Sequence, residues 1–230
     1  MKKEYYVYKM NLTKLNIFAI VLFILVSGIT LIISPKLFKE SWFILGEFKE
    51  FLIFYPCMMG YMVLHELLHA AGYILHGASP KKITFGMEME KSVFYCLCKQ
   101  DITRKNILNA VMFPLFWIGI VTYIISIIFN LPMLLFLSII NISGAAGDIM
   151  YFNFISKLNK NVKFTEMDDG TSFAILSDKD ISKTKSFGLE FIEKTETIPR
   201  NDFKRIKISK FSYVFVLLTI ICLVLGLVIQ

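Results

Sequence analysis

The chain has 230 residues, 56% of them hydrophobic and 22 of them Phe, with 25 Lys plus Arg against 18 Asp plus Glu and a formal charge of +7. So much apolar surface exceeds what a soluble domain of this length can bury, which excludes an ordinary soluble globular domain and predicts a membrane protein in contact with the lipid bilayer. The basic excess carries no aromatic-interleaved patch, which argues against nucleic acid as a partner.

In chain order, Lys2, Lys3, Lys9 and Lys14 precede an apolar run near 15–34, long enough to span a bilayer. No small-residue cleavage site follows, and Ser34-Pro35-Lys36 is a poor substitute, so this helix is expected to be retained. Further spans are predicted near 51–75, 107–129, 133–155 and 211–229, the second one interrupted by His65, Glu66 and His69. Pro114 in the third breaks a backbone hydrogen bond and predicts a kink.

Between the second and third spans, Lys82 to Glu90 alternates apolar and polar residues and Ser92 to Cys98 is rich in β-formers, which predicts a β-hairpin near 82–98. Cys96 and Cys98 form a C-x-C pair with no second pair at zinc-site spacing; with Cys57 and Cys222 they read as reduced structural thiols. In the loop 156–210, Asp169-Gly170 separates strand-like runs at 162–167 and 171–176, a second hairpin signal, and Phe187–Ile192 is a further candidate strand.

The fold class that follows is mainly α, a polytopic transmembrane helical bundle of about five spans with a small β-rich cytoplasmic portion. Its parts would be a membrane core at 1–155, a β-rich segment at 156–210 and a C-terminal transmembrane helix at 211–230. Positive charge marks the cytoplasmic side. An N-in, C-out arrangement puts 22 of the 25 Lys and Arg in 1–14, 76–106 and 156–210, leaving Lys36, Lys39 and Lys49 outside.

His65-Glu66-Leu67-Leu68-His69 is an H-E-x-x-H sequence. Residues i and i+4 share a helical face, so both imidazoles can meet one zinc ion, and Glu66 can reach a zinc-bound water as general base. Ionisable groups are costly in a bilayer and normally carry a function. Within the predicted spans they are His65, Glu66, His69 and Asp148, and one metal site accounts for all four.

Two histidines require a third ligand. Asp148 is the leading candidate, because it falls at a similar depth on a span running the same way. Ala70-Ala71-Gly72 and Ser143-Gly144-Ala145-Ala146-Gly147 are small enough for close helix approach. His76, Glu88 and Glu90 are alternatives. Asn141, seven residues before Asp148, is placed to hydrogen-bond Asp148 or a bound peptide.

H-E-L-L-H in one span and N-I-S-G-A-A-G-D in a later one resemble a family of bacterial membrane proteins described as zincin peptidases. More distantly, the chain is similar to the site-2 protease class of intramembrane metalloproteases. The resemblance covers about residues 50–180 and implies that His65, His69 and Asp148 bind zinc while Glu66 activates water. Gly147-Asp148-Ile149 departs from it, since the larger class has glycine after the aspartate.

The expected activity is therefore that of a zinc metalloendopeptidase in a bacterial cell membrane, acting on membrane-embedded or membrane-tethered polypeptides. Ile83, Phe85 and Met87 on the first hairpin strand would offer an edge to an unwound substrate. The competing reading is a non-enzymatic metal-binding membrane protein for structure, sensing or transport. Transport would spread charged groups over several spans, and the first, third and fifth have none.

Overall fold

The computed structural model describes residues 4–43, 48–88, 93–167 and 170–197. The chain opens with strand β1 (Glu4–Met10), then helices α1 (Leu12–Ile33), α2 (Pro35–Phe43) and α3 (Phe48–Leu75), then strands β2 (Ile83–Glu88), β3 (Val93–Cys98) and β4 (Ile102–Thr103). Helix α4 (Arg104–Pro114) runs through a π-helical stretch (Leu115–Val121) into α5 (Thr122–Ile128). Helices α6 (Pro132–Gly144) and α7 (Ala146–Ser156) precede strands β5 (Lys163–Glu166), β6 (Ser172–Ser177) and β7 (Leu189–Thr195).

The described residues fall into two compact units. The first draws on the described residues within 4–18, 66–113 and 146–197, and it is built on a five-stranded antiparallel sheet in the order β4-β5-β6-β1-β7. β1 is an interior strand of it, with Tyr6 facing Ile175 of β6 on one side and Lys194 of β7 on the other. Its Tyr-Tyr-Val-Tyr run has the aromatic and β-branched character that suits a pleated, packed surface.

Helices α4 and α7 bury Ile107, Ala110, Met150, Phe154 and Ile155 in a core shared with Tyr8, Phe164 and Phe173 of the sheet. The Phe164 and Phe173 rings stack at 4.9 Å, and Tyr8 meets Phe154 at 4.6 Å. The Tyr8 hydroxyl, buried with them, donates to the Ile181 carbonyl at 2.5 Å. β2 and β3 form a separate hairpin with Ile83 opposite Cys98, as the alternation over 82–98 predicts.

The second unit draws on Ala19–His65 and Pro114–Ala145. Phe54, Cys57, Phe136 and Leu137 form one apolar cluster in it, and Leu37, Leu135 and Ile139 another. Two pairs of polar side chains meet inside it: the Thr30 and Tyr123 hydroxyls lie 2.7 Å apart, and those of Thr122 and Ser138 2.8 Å apart.

The expected five spans are not what the helices show. Among the described residues, two are long and apolar enough to cross a membrane, Leu12–Ile33 and Arg104–Ile128, and α6 with α7 makes a third if that broken pair is one span. α3 has the length, at 28 residues, but carries His65, Glu66 and His69. The predicted 133–155 span is interrupted at Ala145, and 211–229 lies outside the described residues. Pro114 marks the passage from α-helix to π-helix, which absorbs the lost hydrogen bond without ending the helix.

Candidate metal centre

Helix α3 brings His65, Glu66 and His69 onto adjacent turns. His69 is buried, at 7% exposure, and its Nδ1–H points to the Ala110 carbonyl of α4 at 3.3 Å. That approach depends on Gly72. A Cβ there would lie 3.0 Å from the Ala110 Cα and 3.1 Å from its carbonyl oxygen, so any side chain would push α4 away. With Nδ1 committed to a carbonyl, the imidazole presents the lone pair of Nε2, as a ligating histidine must.

Nε2 of His69 lies 3.3 Å from Oδ1 of Asp148. Asp148 occupies the first turn of α7, where the helix dipole favours a negative charge. α7 starts there because the chain breaks at Ala145, inside the small-residue run. His65, one turn before His69 on the same unbroken helix, has its Nδ1 3.1 Å from the Asn141 amide nitrogen. The ligand atoms of His65, His69 and Asp148 all lie within 4.8 Å of one another.

Two imidazoles and a carboxylate are a zinc donor set, with a fourth position left for water. Donors bound tetrahedrally at about 2.0–2.1 Å stand roughly 3.3 Å apart. The His69–Asp148 separation has that value, longer than the charge-assisted hydrogen bond of about 2.7–2.9 Å that the pair would otherwise favour. The residues present therefore fit the ion.

Of the other candidate ligands, His76 is engaged within its own surroundings. His76 turns its Nδ1–H back to the Gly72 carbonyl at 2.7 Å, and its own carbonyl accepts from Asn106 at 2.6 Å. Glu88 ends β2, and Glu90 lies outside the described residues. Ile83, Phe85 and Met87 alternate along β2, with Phe85 47% exposed and Ile83 packed on the core of the first unit.

A second carboxylate, Glu166 of β5, has no motif to announce it. Tyr73, one turn beyond His69, donates its hydroxyl to Oε1 at 2.9 Å, and the Cys98 amide donates to Oε2 at 2.6 Å. Glu166 thus ties α3 to β3. Desolvation pushes its carboxyl up from the ordinary 4.5 to about 7, opposed by the two hydrogen bonds and by His69 and reinforced by Glu66. Burial likewise raises the Cys96 and Cys98 thiols, the latter to about 11, and keeps them neutral.

An acid whose folded-state pKa exceeds its unfolded value costs stability as pH rises between the two. The metal-free protein should therefore lose stability from about pH 4.5 to about pH 7. Glu166→Gln should flatten that part of the profile, read as thermal midpoint against pH in detergent. An unchanged slope would show that Glu166 ionises normally.

The profile of a family described as "Putative zincin peptidase" matches residues 58–163, a stretch that contains His65, Glu66, His69 and Asp148. Among curated proteins none matches the chain, and among solved structures none does.

Proposed function

We propose that this chain is a membrane-integrated, zinc-dependent metallopeptidase that hydrolyses peptide bonds in membrane-embedded or membrane-tethered proteins. The observation that carries the reading is the convergence of His65, His69 and Asp148, with His69 and Asp148 held at the spacing of two donors on one zinc ion. The family match over 58–163 supports the same reaction class, and the H-E-x-x-H helix resembles that of site-2 proteases.

Zinc, when bound, supplies a Lewis acid and makes water a nucleophile at neutral pH. Glu66, beside His65 on α3, takes the proton released by that water and returns it to the leaving amine. Asp148 holds negative charge against the ion, and the Ala110 carbonyl keeps His69 in the ligating tautomer. Among the described residues β2 has a strand on one side only, so its outer edge can receive an extended peptide across Ile83, Phe85 and Met87.

The sheet bears on membrane placement. Residues joined in one sheet stand on one side of a bilayer, so an even number of crossings separates them. β1 and β4 share the sheet, and if α1 crosses then α3, the remaining long helix between them, brings the chain back. In the same way Arg104–Ile128 leaves and α6 with α7 returns to β5. The three basic stretches 1–14, 76–106 and 156–210 all contribute strands to this unit, which supports a common cytoplasmic side for them. His65, His69 and Asp148 then lie on returning segments, within the bilayer or at its cytoplasmic face.

Protein purified in detergent without chelator is expected to hold about one zinc per chain, to lose it to a strong chelator and to regain it on titration. Failure to bind zinc at micromolar free ion would overturn the reading. Stoichiometric zinc without any proteolysis would favour a non-enzymatic metal protein.

A further inference from the structure

Asn141 is 7% exposed and sits on α6 with its amide nitrogen 3.1 Å from Nδ1 of His65, while its carbonyl oxygen is buried with no hydrogen-bond partner. Both residues belong to the same compact unit. Read with the amide nitrogen as donor, this contact makes Nδ1 an acceptor. The imidazole proton then sits on Nε2, the nitrogen outside this contact.

A carboxamide has nearly the same shape either way round, so exchanging its two ends costs nothing in packing. The exchange puts Oδ1 opposite Nδ1 and gives the carbonyl a donor, the amide nitrogen taking the buried place the oxygen held. From this we infer that Asn141 is a positioning residue for His65: its carbonyl accepts the Nδ1 proton and so selects the tautomer whose Nε2 can hold a metal ion. The inference rests on the zinc reading for its purpose, though not for its geometry.

The arrangement is then the same at both histidines. Ala110 supplies a backbone carbonyl to Nδ1–H of His69, and in the exchanged orientation Asn141 supplies a side-chain carbonyl to Nδ1–H of His65. Outside a site, neutral imidazole is under no such constraint. An acceptor at Nδ1 fixes the ring orientation and raises the basicity of the ligating nitrogen. The close approach at α6 is left open by Gly119, where a Cβ would lie 3.1 Å from Ile142 and 3.5 Å from the Asn141 carbonyl oxygen.

The tautomer can be read directly by long-range nitrogen–proton correlation NMR on metal-free, histidine-labelled protein in micelles. Only three histidines are present, and loss of one signal in His65→Gln assigns the resonance. The expected result is a proton on Nδ1 of His65 in the wild type; a proton on Nε2 overturns the inference, whether or not the protein binds zinc.

A second arm measures zinc affinity by chelator competition. Asn141→Leu, which removes the acceptor, should weaken binding roughly 10–100-fold, whereas Asn141→Asp, which can accept but not donate, should stay near the wild type. An Asp variant as weak as the Leu variant would overturn the assignment. A wild type without zinc would instead sink the proposed function, leaving the tautomer to be judged by NMR alone.

Discussion

Glu66→Gln is expected to leave zinc content unchanged and to lower peptide cleavage by roughly 10²–10⁴-fold, the range that a positioned general base contributes. Glutamine keeps the shape and the hydrogen-bonding reach of the side chain but cannot take a proton from water. Glu66 lies one residue past His65, so it stands beside the donor set without belonging to the three residues that converge. A metal-only role for the site would leave Glu66→Gln without effect on any turnover. The measurement is a single-turnover assay in detergent on a membrane-derived peptide mixture, run with zinc content determined on the same samples. Zinc retained with activity lost separates the base from the ligands, and turnover surviving at the wild-type rate would remove Glu66 from the chemistry.

How far the molecule could be read from its residues depends on whether each feature is local. The spacing of His65 and His69 is a property of one helix turn, and Asp169-Gly170 is a local turn signal whose hairpin partners, β5 and β6, pair with Thr165 opposite Ala174. β1 escaped because its pairing is distant: Glu4 meets Ser177, and the lysines around Tyr5 to Tyr8 made the segment look like a basic flank to α1. The break at Ala145 contains no proline and lies in a run that reads equally well as small-residue helix packing.

The residues around the site divide the same way. His65, Glu66 and His69 form a motif, and Asp148 stands out as a charge in an apolar segment. The Ala110 carbonyl has no side-chain signature at all, because it acts through its backbone and through the missing side chain of Gly72. Glu166 sits in an alternating strand where a glutamate ordinarily faces water, and only its bonds to Tyr73 and the Cys98 amide reveal otherwise. Asn141 was legible as a polar residue on an apolar helix, seven residues before Asp148 with the helix break at Ala145 between them. The contact it makes is with His65.

Asp148→Ala should reduce zinc affinity by more than the roughly 10–100-fold that a supporting residue costs, because it removes a ligand and not merely the support of one. The alternative for the His69–Asp148 contact at 3.3 Å is a plain ion pair between a protonated imidazole and a carboxylate. The two differ in what Asp148→Asn does. An amide oxygen is a weak, neutral zinc donor, so a ligand role predicts a loss nearly as deep as that of alanine. An ion pair predicts little change in zinc binding, since His65, His69 and any true third ligand would remain. Chelator competition on the alanine and asparagine variants, with cobalt substituted for zinc to report coordination number by its visible spectrum, decides between them. A wild-type spectrum and affinity in both variants would take Asp148 out of the coordination sphere and return the search for a third ligand to residues outside this cluster.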